Sequence, residues 1–160
     1  MQIICNKSYF CFEFIGRTMR DSSKKYDYEL EFKVRDYECD LQGVVNNSVY
    51  QNYLEHTRHE FLLSIGLDFA DLFRRGIKAV VARAELEYKY PLVSGDRFIS
   101  RLFVVHEGVK FIFFQDIFRL PDEKLCVRAK VTSVNLIDGK LGVPVEIVEA
   151  LQKISLSSDN

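Results

Sequence analysis

The 160-residue chain fits one domain and is too short for two of ordinary size. Its 22 lysines and arginines nearly balance its 23 acidic residues, so it has neither a broad basic field for nucleic acid nor an acidic tail. An apolar content of 48% excludes a disordered chain, and no apolar run approaches the roughly 20 residues that a membrane-spanning helix needs.

Residues 1–18 (MQIICNKSYFCFEFIGRT) lack the basic start and clean cleavage site of a signal peptide. Met19 opens a polar stretch that reads like a natural beginning. Residues 1–25 are therefore expected to be an extension outside the core fold, with an added edge strand as the other expectation. Tyr26 to Val34 alternates with period two, placing Tyr26, Tyr28, Leu30, Phe32 and Val34 on one face of a half-buried strand. The alternation stops from Asp36 to Asn47, where Gly43 and two adjacent asparagines predict a loop.

A helical stripe follows from Val49 to Ile65, carried by Tyr50, Tyr53, Leu54, Phe61, Leu62 and Ile65. Ser48 and Gln51 match a capping box, and Gly66 is placed to stop the helix. A short second helix is expected from Phe69 to Arg75, ended by Gly76. Four β-rich segments come next: Ile77–Tyr90, Arg97–His106, Val109–Leu120 and Lys124–Ile137. The short breaks between them predict antiparallel neighbours. Pro144 to Ile154 is weakly helical. The expected fold class is α+β, a five-stranded antiparallel sheet curled around one long helix, with a domain over 26–150 and a tail over 151–160.

The chemistry concentrates between Tyr37 and Tyr50. Asp40 lies in a loop that runs directly into the long helix, and Gly43 permits either an unusual backbone conformation or a close approach. The helix start offers unpaired backbone N–H groups and a positive dipole end, which suit a developing oxyanion. A carboxylate a few residues upstream can serve as nucleophile or as base for water. A purely structural role for Asp40, organising the turn before the helix, stands beside that reading.

The run Asp40-x-x-Gly43-Val44-Val45-Asn46-Asn47-x-x-Tyr50, followed by Tyr53, Glu55 and Arg58, resembles the hot-dog thioesterases of the 4-hydroxybenzoyl-CoA thioesterase family. Tyr90-Pro91-Leu92-x-Ser94-Gly95-Asp96 is similar to that family's strand turn after the helix. The chain also resembles the acyl-acyl-carrier-protein thioesterases of plant plastids and their bacterial relatives, and the likeness covers Tyr28 to Val145. The resemblance implies hydrolysis of an acyl-CoA or acyl-ACP thioester, with Asp40 as catalytic carboxylate and the Asn47 backbone N–H polarising the carbonyl. It implies Gly43, Val44, Val45, Asn46, Tyr50 and Arg58 as substrate-binding or supporting residues, with Glu55 as a further catalytic or site-supporting group. It also implies a homodimer or homotetramer with sites at the interface. Many relatives carry a histidine where Val44 stands, so histidine assistance from that position is excluded.

Other residues support rival readings. Cys39 sits between Glu38 and Asp40, whose charges disfavour a thiolate, so a free structural thiol is expected there. The four cysteines match no zinc or disulfide spacing, which predicts reduced thiols and a cytoplasmic setting. Glu55, His56, His59 and Glu60 form overlapping i,i+4 pairs without a third ligand, so neither a metal nor a cofactor is expected. Arg74 and Arg75 are candidates for contact with an acidic carrier. An enoyl-thioester hydratase would need a histidine beside a carboxylate, with His106 the one remote candidate, and a non-catalytic thioester-binding dimer is the alternative from another class. No membrane insertion is expected.

Overall fold

The computed structural model describes residues 26–157, so the segment expected to be an N-terminal extension lies outside the described residues. The elements are β1 (Tyr28–Lys33), a 3₁₀ turn (Asp36–Glu38), α1 (Asn47–Ser64), α2 (Phe69–Arg74), β2 (Ile77–Tyr88), β3 (Arg97–Glu107), β4 (Lys110–Leu120), β5 (Lys124–Ile137), β6 (Lys140–Gly142) and α3 (Val145–Ser157). The five long strands form one antiparallel sheet in the order β1-β3-β4-β5-β2, and the short β6 pairs with the end of β5. β3, β4 and β5 are a meander. The expectation that every short connection joins neighbours fails between β2 and β3, because β2 pairs with β5 at the far edge. Pairing β2 with β5 lets β1 occupy the other side of β3.

Alternation decides which side chains meet α1. Phe32, Phe98, Ile117 and Val127 point inward with Val34, Tyr53 and Leu54 to form one half of the core. Tyr28, Leu102, Phe113 and Val131 join Phe61, Leu62 and Ile147 in the other half. Phe98 is fully buried, stacked on Phe32 at 5.0 Å between ring centroids and tilted against Tyr53 at 4.8 Å. α3 packs Ile147 and Leu151 onto this second half, so the weakly helical tail becomes a docked helix.

Helix and sheet are also joined by polar groups. The Thr57 and Ser100 hydroxyls share a hydrogen bond at 2.9 Å, and Gln115 Nε2 donates to the Leu54 carbonyl at 3.0 Å. Arg58 Nη1 donates to Gln115 Oε1 at 2.9 Å. Such buried groups are tolerated because each finds a partner.

Phe98→Ala should remove about 3–5 kcal/mol of stability, because a ring sandwiched between two others leaves a cavity that the sheet cannot close. Urea unfolding checks this; a loss near zero would mean that the core repacks around the site.

Candidate active site

The loop between β1 and α1 is fixed from below. The Glu38 carboxylate is buried and accepts hydrogen bonds from the Arg35 N–H (2.7 Å), the Arg35 guanidinium (3.2 Å) and the Tyr53 hydroxyl (2.7 Å). Its backbone carbonyl accepts from the Asn46 N–H at 3.0 Å. Val45 N–H donates to Leu92 O at 2.8 Å, while Cys39 bridges to Val45 and Val44 to Val93. The Tyr50 hydroxyl accepts from Leu92 N–H at 3.1 Å. Residues 39–45 therefore form a hairpin held at both ends.

Asp40 opens the turn of that hairpin. Its carbonyl accepts from Gly43 N–H at 3.0 Å, and its Oδ1 accepts from Gln42 N–H at 2.8 Å. Gly43 has φ +77 and open space where a Cβ would stand, so the glycine is required for conformation and not for close approach. Asp40 does organise the turn, and it does so with one oxygen. Among the described residues Oδ2 has no hydrogen-bond partner, and the side chain is half-buried.

The helix begins earlier than the Ser48 capping box predicts. Asn46 is the N-cap; its Oδ1 accepts from Ser48 N–H at 3.0 Å and from the Ser48 hydroxyl at 2.7 Å, while its carbonyl accepts from Val49 N–H at 2.9 Å. The second and third helical N–H groups are thereby satisfied. The first, on exposed Asn47, has no acceptor among the described residues. The Tyr88 hydroxyl donates to the Asn47 carbonyl at 3.0 Å and fixes this tip against β2.

The remaining predicted residues divide. Val45 and Tyr50 are core residues, 3% exposed each, and Val44 is half-buried in the hairpin. Glu55 lies eight residues along α1, about 12 Å from the tip, and its exposed carboxylate faces His59 at 3.7 Å. Within one chain it is not beside Asp40. Arg58 is buried, lies 6.0 Å from the Phe113 ring centroid, and has its pKa lowered by burial with Glu55 opposing that shift. Burial also lowers the pKa of His59, favouring the neutral imidazole. Arg74 and Arg75 are paired with Asp71, and Arg75 also with Glu146 of α3, which leaves neither as an isolated cation for a carrier. Cys39 is half-buried and Cys126 buried, both free thiols. His106 accompanies Gly108 and Phe111 at the β3–β4 hairpin, not Asp40.

Sequence reasoning missed Glu38 and Tyr88. The Arg35–Glu38 spacing of the turn was the available sign of the first; nothing local announces the second.

The model of the thioesterase-like superfamily matches residues 34–154. The chain belongs to that superfamily. It is 40% identical over 126 residues to the chloroplastic acyl-acyl carrier protein thioesterase ATL3 of Arabidopsis thaliana, covering 78% of this chain and 65% of that protein. The chain thus spans just under two thirds of this plant relative's length. A protein of Aquifex aeolicus (strain VF5) named as an esterase is 31% identical, with 75% of this chain and 94% of that one aligned. Among solved structures, Slr0204, a 1,4-dihydroxy-2-naphthoyl-CoA thioesterase from Synechocystis, superposes with a TM-score of 0.76 at 19% identity, over 80% of this chain and 97% of that one. The superfamily member described here has the hot-dog fold, a curled antiparallel sheet around one helix.

The tyrosines behind the hairpin make stability sensitive to alkali. Burial pushes Tyr50 up to about 12, and burial with the Glu38 hydrogen bond pushes Tyr53 higher still. Because the folded value lies above the unfolded value near 10, this stability is complete below pH 10 and declines as pH rises toward 12. Denaturant unfolding across that window should show the fall, and Tyr50→Phe should make it shallower by on the order of 2 kcal/mol. An unchanged slope in that variant would remove Tyr50 from the effect.

Proposed function

We propose that this chain hydrolyses an acyl thioester carried on coenzyme A or an acyl carrier protein, with Asp40 as the catalytic carboxylate and the Asn47 N–H as oxyanion donor. The observation that carries the reading is the pairing of an unbonded Asp40 Oδ2 with an unbonded N–H at the tip of α1, both on a hairpin held by buried hydrogen bonds. The carboxylate, or a water it deprotonates, attacks the thioester carbon. The carbonyl electron pair moves onto oxygen, where the N–H and the helix end stabilise it. Collapse expels the thiolate, and water supplies the hydroxyl of the released acid and the proton of the released thiol. A thiolate is a good leaving group, so the absence of a histidine at Val44 is no obstacle.

The active unit is a homo-oligomer that completes the site. Among the described residues β2 ends the sheet, so one of its edges, along a 12-residue strand, has no pairing partner there, and Val80 and Val81 are exposed at 40% and 54%. A long unpaired edge of this kind is a template for pairing with another chain. Glu55, remote from Asp40 in its own chain, then serves the site from a second copy. The setting is the cytoplasm, and no helix among the described residues is long and apolar enough to cross a membrane.

Thiol release from acyl-CoA and acyl-ACP panels tests the activity. Asp40→Asn should lower turnover by about 10²–10⁴ while keeping the fold, because Asn can still accept the Gln42 N–H bond. Asn47→Pro removes the first helical N–H at the position where proline is best tolerated, and Asn46, at φ −59 and ψ 138, already has the backbone that a following proline demands. A fall of about 10²–10³ in kcat with unchanged helicity is expected; full activity in either variant would remove that residue from the mechanism. Val81→Lys should shift sedimentation toward the monomer, and a wild-type monomer would refute the oligomer.

A further inference from the structure

β5 carries an anomaly on its inward face. The alternate residues Val127, Ala129 and Val131 pack into the core, but the next two inward positions are Ser133 and Asn135, 8% and 2% exposed. Elsewhere the buried polar groups under α1 are bonded, as with Thr57, Ser100 and Gln115. Asn135 Oδ1 is the one buried side-chain nitrogen or oxygen among the described residues without a hydrogen-bond partner. An unpaired buried acceptor costs about 1–3 kcal/mol, so its retention on a core-facing position calls for an explanation.

Asn135 is among the residues around a cavity of about 90 Å³, lined on the apolar side chiefly by Leu62, Phe111, Phe113 and Ile147 and on the polar side by Arg58 and Ser133. The cavity shares Glu55, Arg58 and Val81 with a second one of about 120 Å³ that reaches back to Gln51 and Leu86. Tyr88, two residues beyond Leu86 on β2, touches the helix tip at Asn47. The two cavities therefore lie side by side along α1, and the groove they outline starts at Gln51, about one helical turn past the Asn47 tip. Its far cavity borders Glu55 to Leu62, 8–15 residues along α1, or about 12–22 Å from the tip.

We propose that this groove holds the acyl chain of the thioester and that Asn135, with Ser133, selects a chain bearing a hydroxyl in its distal half. This rests on the thioesterase reading and names its substrate class. A hydroxyl donates to Asn135 Oδ1 and can accept from Ser133 or Arg58. An unsubstituted chain end would seal the amide oxygen in a dry apolar pocket, and sites built to bond a hydroxyl reject analogues lacking it.

Saturated acyl-CoAs from octanoyl to hexadecanoyl and their ω-hydroxy counterparts supply the probes. The wild-type protein should favour the hydroxylated member at the length that reaches Asn135 by about 10-fold or more in kcat/KM. Asn135→Leu, which keeps side-chain volume and removes the unpaired acceptor, should abolish or reverse that preference. Equal rates for both members at every length, or an unchanged ratio in the variant, would overturn the proposal; a water filling the cavity gives that result. Calorimetric binding of the free acids, dodecanoic against ω-hydroxydodecanoic acid and the neighbouring lengths, separates the two readings. If no thiol is released from any substrate, the activity fails, yet tighter binding of the hydroxy acid that Asn135→Leu cancels still supports the selection, and equal binding overturns it.

Discussion

The Glu38 carboxylate accepts three hydrogen bonds inside the protein, two from Arg35 and one from Tyr53, and its own carbonyl holds the Asn46 N–H. A buried charge is costly unless its lone pairs are satisfied. Here that satisfaction can be had in one arrangement only: the end of β1, the 3₁₀ turn and the second turn of α1 must converge on one point. The hairpin from Cys39 to Val45 then has fixed feet. The separation of Asp40 from the Asn47 N–H follows from where Glu38 is buried, although Glu38 takes no part in the proposed chemistry.

Asp40 illustrates why structural and chemical readings of one residue need not compete. Its Oδ1 closes the turn through Gln42, which orients the side chain and leaves Oδ2 without a donor among the described residues. A carboxylate whose rotamer is set by one oxygen has lost most of the freedom that would blur the position of the other. The structural bond is thus a means of preorganisation, and it is also what allows an asparagine to replace the turn function without the charge.

Much of the fold was legible because period two and period 3.6 are strong local signals: β1, β3, β4, β5 and α1 lie close to where alternation and the helical stripe put them. Strand order was not, since nothing local to Ile77–Tyr88 says whether it pairs with β3 or β5; that choice depends on β1 claiming one side of β3. The N-cap was misjudged between Ser48 and Asn46 because both residues favour that role and the deciding factor is the bond from Asn46 N–H to Glu38 O, set by tertiary structure. Glu38 itself reads as a surface charge until Tyr53, 15 residues away, is brought over it. Ser133 and Asn135 could be assigned to an alternating strand, but their meaning required knowing which face of β5 meets α1.

The exposure of β2 follows from dimensions. Five strands set about 4.8 Å apart span roughly 19 Å between outer axes, whereas one helix with its side chains is about 10–12 Å across. A single helix cannot cover such a sheet evenly, and α1 packs most closely on β3 and β1. The strip left over is the concave face of β2, where Val81 and Tyr88 remain half-exposed. This strip has two kinds of unfilled demand. Its concave side chains border the cavities that lie along α1 toward Asn135, and its outer edge is unpaired among the described residues. A ligand satisfies the first and a second copy of the chain the second, and because the two demands lie on different sides of the same strand, both can be met at once.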